Sequence, residues 1–271
     1  MPGAREVVRP PLAGLDLGRH YGHHQSPAIR AAGLVFCSGM VAVAPESGDR
    51  LHGTVTSETA RIFENLRLLL AAAGSSLERI VQIRAMLYDR IEYDVMNRVY
   101  RRFASAAPPA RTVWSVRLDA GFKVMLDVTA LADTGRNAMS TNKEIIEPRN
   151  PALNVSRNLG LPHSPGVRVG DLIFLSGMVS TDPKTGERKH DTVAGETRQI
   201  LQNMAHLLES GGSSLDKVVK LNVLLYDMLE LENMNAVFRE FFPVDPPART
   251  ACGVQLGFGL KVEIECIALA A

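Results

Sequence analysis

Pro108-Pro109-Ala110-Arg111-Thr112 and Pro246-Pro247-Ala248-Arg249-Thr250 are the same five residues met twice in one chain. Working outward from them at a constant offset, Ser38-Gly39-Met40-Val41 falls on Ser176-Gly177-Met178-Val179. Gly74-Ser75-Ser76-Leu77 falls on Gly212-Ser213-Ser214-Leu215, and Leu87-Tyr88-Asp89 on Leu225-Tyr226-Asp227. Residues 33–132 and 171–270 align without a net insertion, and about 45 of the 100 paired positions are identical. A repeat of that length is a duplicated domain, not a solenoid of short modules. Duplication also supplies an internal control: where the copies differ at a chemical position, one of them has changed its task.

The 271 residues suffice for two domains with cores of their own. The chain is 46% hydrophobic and 22% charged, with a formal net charge of +1, which gives no electrostatic reason to expect nucleic acid or an acidic membrane as partner. Neither a signal-like apolar run at Met1–Glu6 nor a stretch of membrane-spanning length is found. Cys37, Cys252 and Cys266 are too scattered for a disulfide framework or a zinc site, and all three are expected to be buried thiols. The expectation is a reduced, soluble, cytoplasmic protein.

Each copy has the same run of elements. An apolar stretch, Leu34–Cys37 or Leu172–Leu175, reads as a buried strand ending at Ser-Gly. A turn follows, then a helix whose apolar residues Ile62, Leu66, Leu69 and Leu70 match Ile200, Met204, Leu207 and Leu208. That spacing is one face of a 3.6-residue period. Alternation at Val81, Ile83, Ala85 and Leu87, and at Val219, Leu221, Val223 and Leu225, predicts a strand. A second helix carries Met96, Val99, Tyr100 and Phe103, or Met234, Val237, Phe238 and Phe241, and two strands around a glycine turn close each copy. Two amphipathic helices covering one face of a mixed sheet make an α+β sandwich. The expected division is a first domain over 1–132, a polar, proline-containing linker over 133–162 with a short strand near Ala152 to Val155, and a second domain over 163–271. His20, His23 and His24 read as a solvated, disordered N-terminal tail and not as a metal site.

The Ala248-Arg249-Thr250 strand start, the closing Val262-Glu263-Ile264-Glu265-Cys266-Ile267-Ala268 strand and the Ser-Gly after an apolar strand together resemble the Rid/YjgF family of reactive intermediate deaminases, formerly called endoribonuclease L-PSP. The resemblance covers both copies almost entirely. It implies two tandem chorismate-mutase-like domains, clefts between neighbouring domains, and a homo-oligomer, expected here as a trimer of two-domain chains. It also implies hydrolysis of a carboxylate-bearing imine or enamine to a 2-oxo acid and ammonia, without metal or organic cofactor. Carried over by position, Arg249 would hold the substrate carboxylate and Glu263 the catalytic water. Gly177 and Ser176 would supply backbone contacts, and Asn235 would line the cleft.

The chemistry of these side chains suits the roles. A guanidinium offers two parallel donors to a carboxylate, and a positioned carboxylate can relay a proton between water and nitrogen. Period two places Glu263 and Glu265 on one face. The residues alone do not say which of them meets substrate; Glu263 is preferred because it occupies the family's catalytic place. In the first copy Met125 stands opposite Glu263 and Asp127 opposite Glu265, while Arg111 is retained opposite Arg249 and Asn97 opposite Asn235. A thioether cannot move a proton, so the first copy reads as a degenerate, non-hydrolytic site that keeps a carboxylate anchor, with room to wall the second copy's cleft.

Two departures from the family are evident. Gln25 and His163 stand where the family often has a tyrosine, which leaves His163 either a substrate-binding cleft donor in place of the phenol or incidental, and the Arg-to-Glu spacing is one residue short. The rival expectation is a non-catalytic carboxylate-binding protein using Arg111 or Arg249. A ribonuclease is disfavoured by the neutral charge and the lack of a basic face interleaved with aromatics.

Overall fold

The computed structural model describes residues 5–103, 106–133 and 142–271. It divides into two compact units, and the division does not follow the sequence repeat. The first unit holds the described residues up to 109 together with 116–133; the second holds Ala110–Ser115 with Asn142–Ala271.

In the first unit the elements are β1 (Glu6–Val8), α1 (Leu17–Tyr21), β2 (Ala28–Ala31), β3 (Leu34–Cys37), α2 (Val55–Ala72), β4 (Ile80–Leu87) and α3 (Tyr93–Tyr100). After β5 (Ala110–Ser115), which belongs to the second unit, comes β6 (Val124–Leu131). The strands lie in the order β1-β2-β3-β6-β4. The expected disordered tail is not observed over its described part. Glu6, Val7 and Val8 pair with Arg30, Ile29 and Ala28, and His20 lies in α1. The helix face predicted from the 3.6 period is the buried one, with Ile62, Leu66, Leu69 and Leu70 all at 0% exposure.

The second unit continues with β7 (Lys143–Ile145), α4 (Val155–Asn158), β8 (Gly166–Val169), β9 (Leu172–Leu175), β10 (Met178–Val179), α5 (Val193–Ser210), β11 (Val218–Leu225), α6 (Leu231–Phe241), β12 (Ala248–Gly253) and β13 (Val262–Leu269). Its sheet runs β12-β11-β13-β9-β8-β7, with β10 on β13. The β11–β12 pair is parallel and its other pairs are antiparallel, so this sheet is mixed. The stretch expected to be a linker is part of the unit from residue 143: β7 pairs with β8, and Ile146 enters the core. No strand forms at Ala152 to Val155. Asn150 caps a turn of 3-10 helix at Pro151–Leu153, where the fixed proline φ suits a helical start, and Asn154 caps α4. The polar stretch 134–141 lies outside the described residues.

Alternation on β13 sorts its side chains. Val262, Ile264, Cys266 and Ala268 join Ile200, Met204, Leu207, Leu208, Met234 and Val237 in the core beneath α5 and α6. Glu263, Glu265 and Ile267 therefore face away from the helices. Each buried aliphatic side chain is worth about 1.5–3 kcal/mol, which fixes the register of β13 and the side on which its acids emerge. The start of β13 is pinned separately. Glu196, in the first turn of α5 and fully buried, accepts hydrogen bonds from the Lys261 and Val262 amides at 2.9 and 3.2 Å. Glu58 does the same for Lys123 and Val124. Both long helices end alike: Gly74 and Gly212, at φ 66° and 73°, let Ser75 and Ser213 donate back to Leu70 and Leu208.

Candidate active site

Two acids emerge on one face of β13, and the structure gives them different work. Glu265 is 2% exposed. Its carboxylate accepts from Thr112 Oγ1 at 2.5 Å and from Asn222 Nδ2 at 2.6 Å. It ties β5 and β11 together and is committed to that task. Glu263, half-buried, has its carboxylate over Gly177, where a Cβ would stand 2.0 Å from Oε1 and 2.8 Å from the Thr112 methyl. Residue 177 must be glycine for the acid to lie there, which is the close-approach use of glycine.

Arg111 lies on β5 at 2% exposure. Its amide donates to Ser176 Oγ at 2.8 Å, and that hydroxyl donates onward to the Ser164 carbonyl at 2.5 Å. Its carbonyl accepts from the Gly177 amide at 3.1 Å. The Arg111 backbone is thus bonded to the two residues beneath Glu263. An Arg111 terminal nitrogen lies 3.3 Å from His163 Nδ1. Burial first, and the neighbouring guanidinium second, hold His163 well below the ordinary imidazole range. A neutral ring beside an obligate donor accepts at Nδ1, so Nε2 carries the proton and is the donor left to a ligand.

Of the residues singled out in the sequence, the structure brings Arg111, His163, Ser176, Gly177 and Glu263 together. It does not bring Arg249 and Glu263 together. Arg249 pairs with Leu221 of β11, whereas Glu263 pairs with Leu224 on the opposite side of that strand. Two strand spacings and three residues of rise separate the Cα atoms by about 14 Å. Arg249 is exposed on the outer strand β12 and donates to Asn235 Oδ1 at 2.8 Å. Its guanidinium centre lies 4.8 Å from the Phe238 ring centroid. With Leu221, Phe242 and Pro247 these residues line a groove of about 370 Å³. Arg249 therefore does not stand beside Glu263 as expected from sequence; of the two arginines it is Arg111 whose backbone is bonded to Gly177, the residue beneath Glu263.

The first unit has the same scaffold with different chemistry. Met125 covers Gly39 as Glu263 covers Gly177, its Sδ 2.7 Å from a Cβ built there. Ser38 Oγ donates to the Ser26 carbonyl at 2.7 Å, the counterpart of Ser176 to Ser164. Asp127 lies 3.5 Å from Arg84. Of the cysteines, Cys37 and Cys266 are buried, and burial pushes the Cys37 thiol up to about 12. Cys252 is exposed on β12, contrary to expectation. The described residues contain no group of three His, Cys, Asp or Glu placed to share a metal ion, and no described helix is long and apolar enough to cross a membrane.

The family model described as endoribonuclease L-PSP matches residues 20–132 and again 159–270. A RutC family protein of Pyrococcus horikoshii is 39% identical over 116 residues, covering 42% of this chain and 91% of that protein. The chloroplastic Reactive Intermediate Deaminase A of Arabidopsis thaliana is 34% identical over 134 residues, 49% of this chain and 68% of the relative. The 2-iminobutanoate/2-iminopropanoate deaminase of Homo sapiens is 36% identical over 109 residues, 40% of this chain and 80% of the relative. Two matches of full domain length in one chain have one reading: the chain belongs to the endoribonuclease L-PSP, or Rid, family as a tandem two-domain member.

Proposed function

We propose that the second unit hydrolyses a carboxylate-bearing imine, or the enamine in equilibrium with it, to a 2-oxo acid and ammonia. The observation that carries this reading is the bond from the Gly177 amide to the Arg111 carbonyl, which ties the backbone of a buried arginine to the glycine beneath the Glu263 carboxylate. The names of the Arabidopsis and human relatives support the reaction class.

In this reading the Arg111 guanidinium receives the substrate carboxylate, and His163 Nε2–H donates to the same group. Charge-assisted bonds of this kind contribute about 1.5–3 kcal/mol each. Glu263 takes a proton from water as the oxygen bonds to the C=N carbon, and delivers it to nitrogen, giving a carbinolamine. Glu263 then takes the hydroxyl proton and passes it to nitrogen, so that the C=O bond forms as the C–N bond breaks and the nitrogen leaves as ammonia. A positioned carboxylate is worth a factor of about 10²–10⁴ in such transfers. Glu265 takes no part, since its oxygens already hold Thr112 and Asn222.

The test is ammonia release from 2-iminopropanoate or 2-iminobutanoate generated in situ. Glu263→Gln keeps shape and loses the base, so at least a 10²-fold drop is expected. Activity within a few-fold of wild type in that variant would remove Glu263 from the mechanism. Wild type with no acceleration over buffer would leave a carboxylate-binding protein as the better reading.

A further inference from the structure

Thr112 carries a hydroxyl and a methyl on one carbon, and the structure sends them to different acids. Oγ1 donates to Glu265 at 2.5 Å. The methyl meets the Glu263 carboxylate: a Cβ on Gly177 would stand 2.8 Å from Thr112 Cγ2 and 2.0 Å from Glu263 Oε1. Thr112 and Glu265 are both buried, so bulk water does not compete for the hydroxyl. A hop of the threonine to a neighbouring χ1 well would put the hydroxyl where the methyl stands, facing Glu263. Glu265 opposes that hop, and it is held in turn by Asn222, whose Nδ2 donates to its other oxygen at 2.6 Å. The first copy supplies a comparison. Where Met125 replaces Glu263, Asp127 stands for Glu265 and Arg84 for Asn222, and these two form an ion pair at 3.5 Å. The copy that lost the acid over the glycine lost the amide-held glutamate with it.

We propose that Glu265 is a positioning residue: by capturing the Thr112 hydroxyl it presents a methyl to Glu263 and keeps Glu263 basic enough to take a proton from water. A hydroxyl donated to a carboxylate stabilises the charged form and weakens the base. An apolar group beside the carboxylate excludes water and does the opposite. The effective pKa of a general base lies toward the working pH, so the second arrangement favours catalysis. Glu265 takes no part in the proton transfers themselves. It acts through Thr112 on an acid two residues away on its own strand. That Glu263 is the base rests on the function proposed above; the capture of the hydroxyl does not.

Two readouts test this: the titration of the Glu263 carboxyl by carbon-13 NMR, its resonance assigned with Glu263→Gln, and kcat/KM against pH for 2-iminopropanoate. In Glu265→Leu the released hydroxyl should turn to Glu263, whose pKa should fall by about one pH unit, and the acid limb of kcat/KM with it. Loss of a neighbouring negative charge lowers that pKa too, and two further variants separate the causes. Glu265→Asp keeps the charge and withdraws the acceptor by one methylene, so the pKa should still fall. Thr112→Val changes no charge. Added to either Glu265 variant it should raise the Glu263 pKa again, and alone it should leave the wild-type value. Arg111 on β5, His163 ahead of β8, Lys220 on β11 and Lys261 before β13, the other ionisable groups on the elements beside Glu263, are the same in every variant. If Glu265→Leu does not fold, Glu265→Asp, the residue the first copy carries there, decides alone. An unmoved Glu263 pKa in folded Glu265→Asp, or one that Thr112→Val does not raise, overturns the proposal. A contact that only ties β5 to β11 is broken by either loss and is not mended by both. Wild type that hydrolyses no imine while the titrations behave as expected sinks the deaminase reading and leaves the capture of the hydroxyl standing. Normal hydrolysis with unmoved titrations does the reverse.

Discussion

Glu263 Oε1 occupies the space in which a side chain at residue 177 would begin, 2.0 Å from the Cβ position of Gly177. The φ of Gly177 is not positive, so the backbone itself would accept alanine. Gly177→Ala should therefore fold, displace the carboxylate by an ångström or more, and lower kcat/KM about 10²-fold, the scale of a small misplacement of a reacting group. Steady-state kinetics beside a circular dichroism spectrum decide it. Near-wild-type activity in a folded variant would mean that Glu263 works from another position.

The two arginines should respond unequally. Arg111→Lys keeps a charge and loses the planar fork, so KM should rise about 10–100-fold with a smaller change in kcat. Arg249→Lys should leave turnover within about twofold, because Arg249 belongs to the outer strand and its groove. The reverse ranking would return the catalytic pocket to Arg249.

His163 carries a signed pH dependence. Its pKa is depressed in the folded chain, by burial and then by Arg111, below the ordinary 6.5. Between the two values the unfolded chain binds the proton more readily, so stability from this group is full above about pH 6.5 and is lost as pH falls toward the folded value. Urea unfolding at pH 7.5 and 5.5 should show a larger loss in wild type than in His163→Gln. Equal losses would mean that His163 is protonated in the folded protein.

Glu58 and Glu196 form a matched pair for separating stability from catalysis. Glu→Gln at either leaves one oxygen to serve amides that a carboxylate now holds, costing about 1–3 kcal/mol of stability. Only Glu196 anchors Lys261 and Val262, the residues just before Glu263. Thermal unfolding should fall in both variants, and kcat should fall in Glu196→Gln alone. Equal kcat losses would assign the effect to general loosening.

Much of the fold was legible because the repeat was read at constant offset. Leu34–Cys37 and Leu172–Leu175 are strands with the bounds expected, and the apolar helix faces are the buried ones. The partners of those strands, Ala28–Ala31 and Gly166–Val169, are four residues each, too short for alternation to register. The loss of an acid at Met125 was legible, since it needs only the alignment. Which arginine meets Glu263 was not. Arg111 and Arg249 sit in identical pentapeptides, and local sequence holds no record of which unit a strand packs into. Nor did spacing separate Glu263 from Glu265; a threonine and an asparagine on two other strands do that.

That β5 packs in the second unit has a consequence for modularity. Cutting the chain between its two copies would strand Arg111 on one fragment and Glu263 on the other. The apparent half-proteins would each be a recognisable domain by sequence and neither would hold both residues. A residue's tolerance of change then follows the pocket it serves and not the copy that encodes it: position 125 could become methionine while position 111, fourteen residues upstream in the same copy, still answers to a glutamate 152 residues away. The unit of inheritance and the unit of function in this chain have different edges.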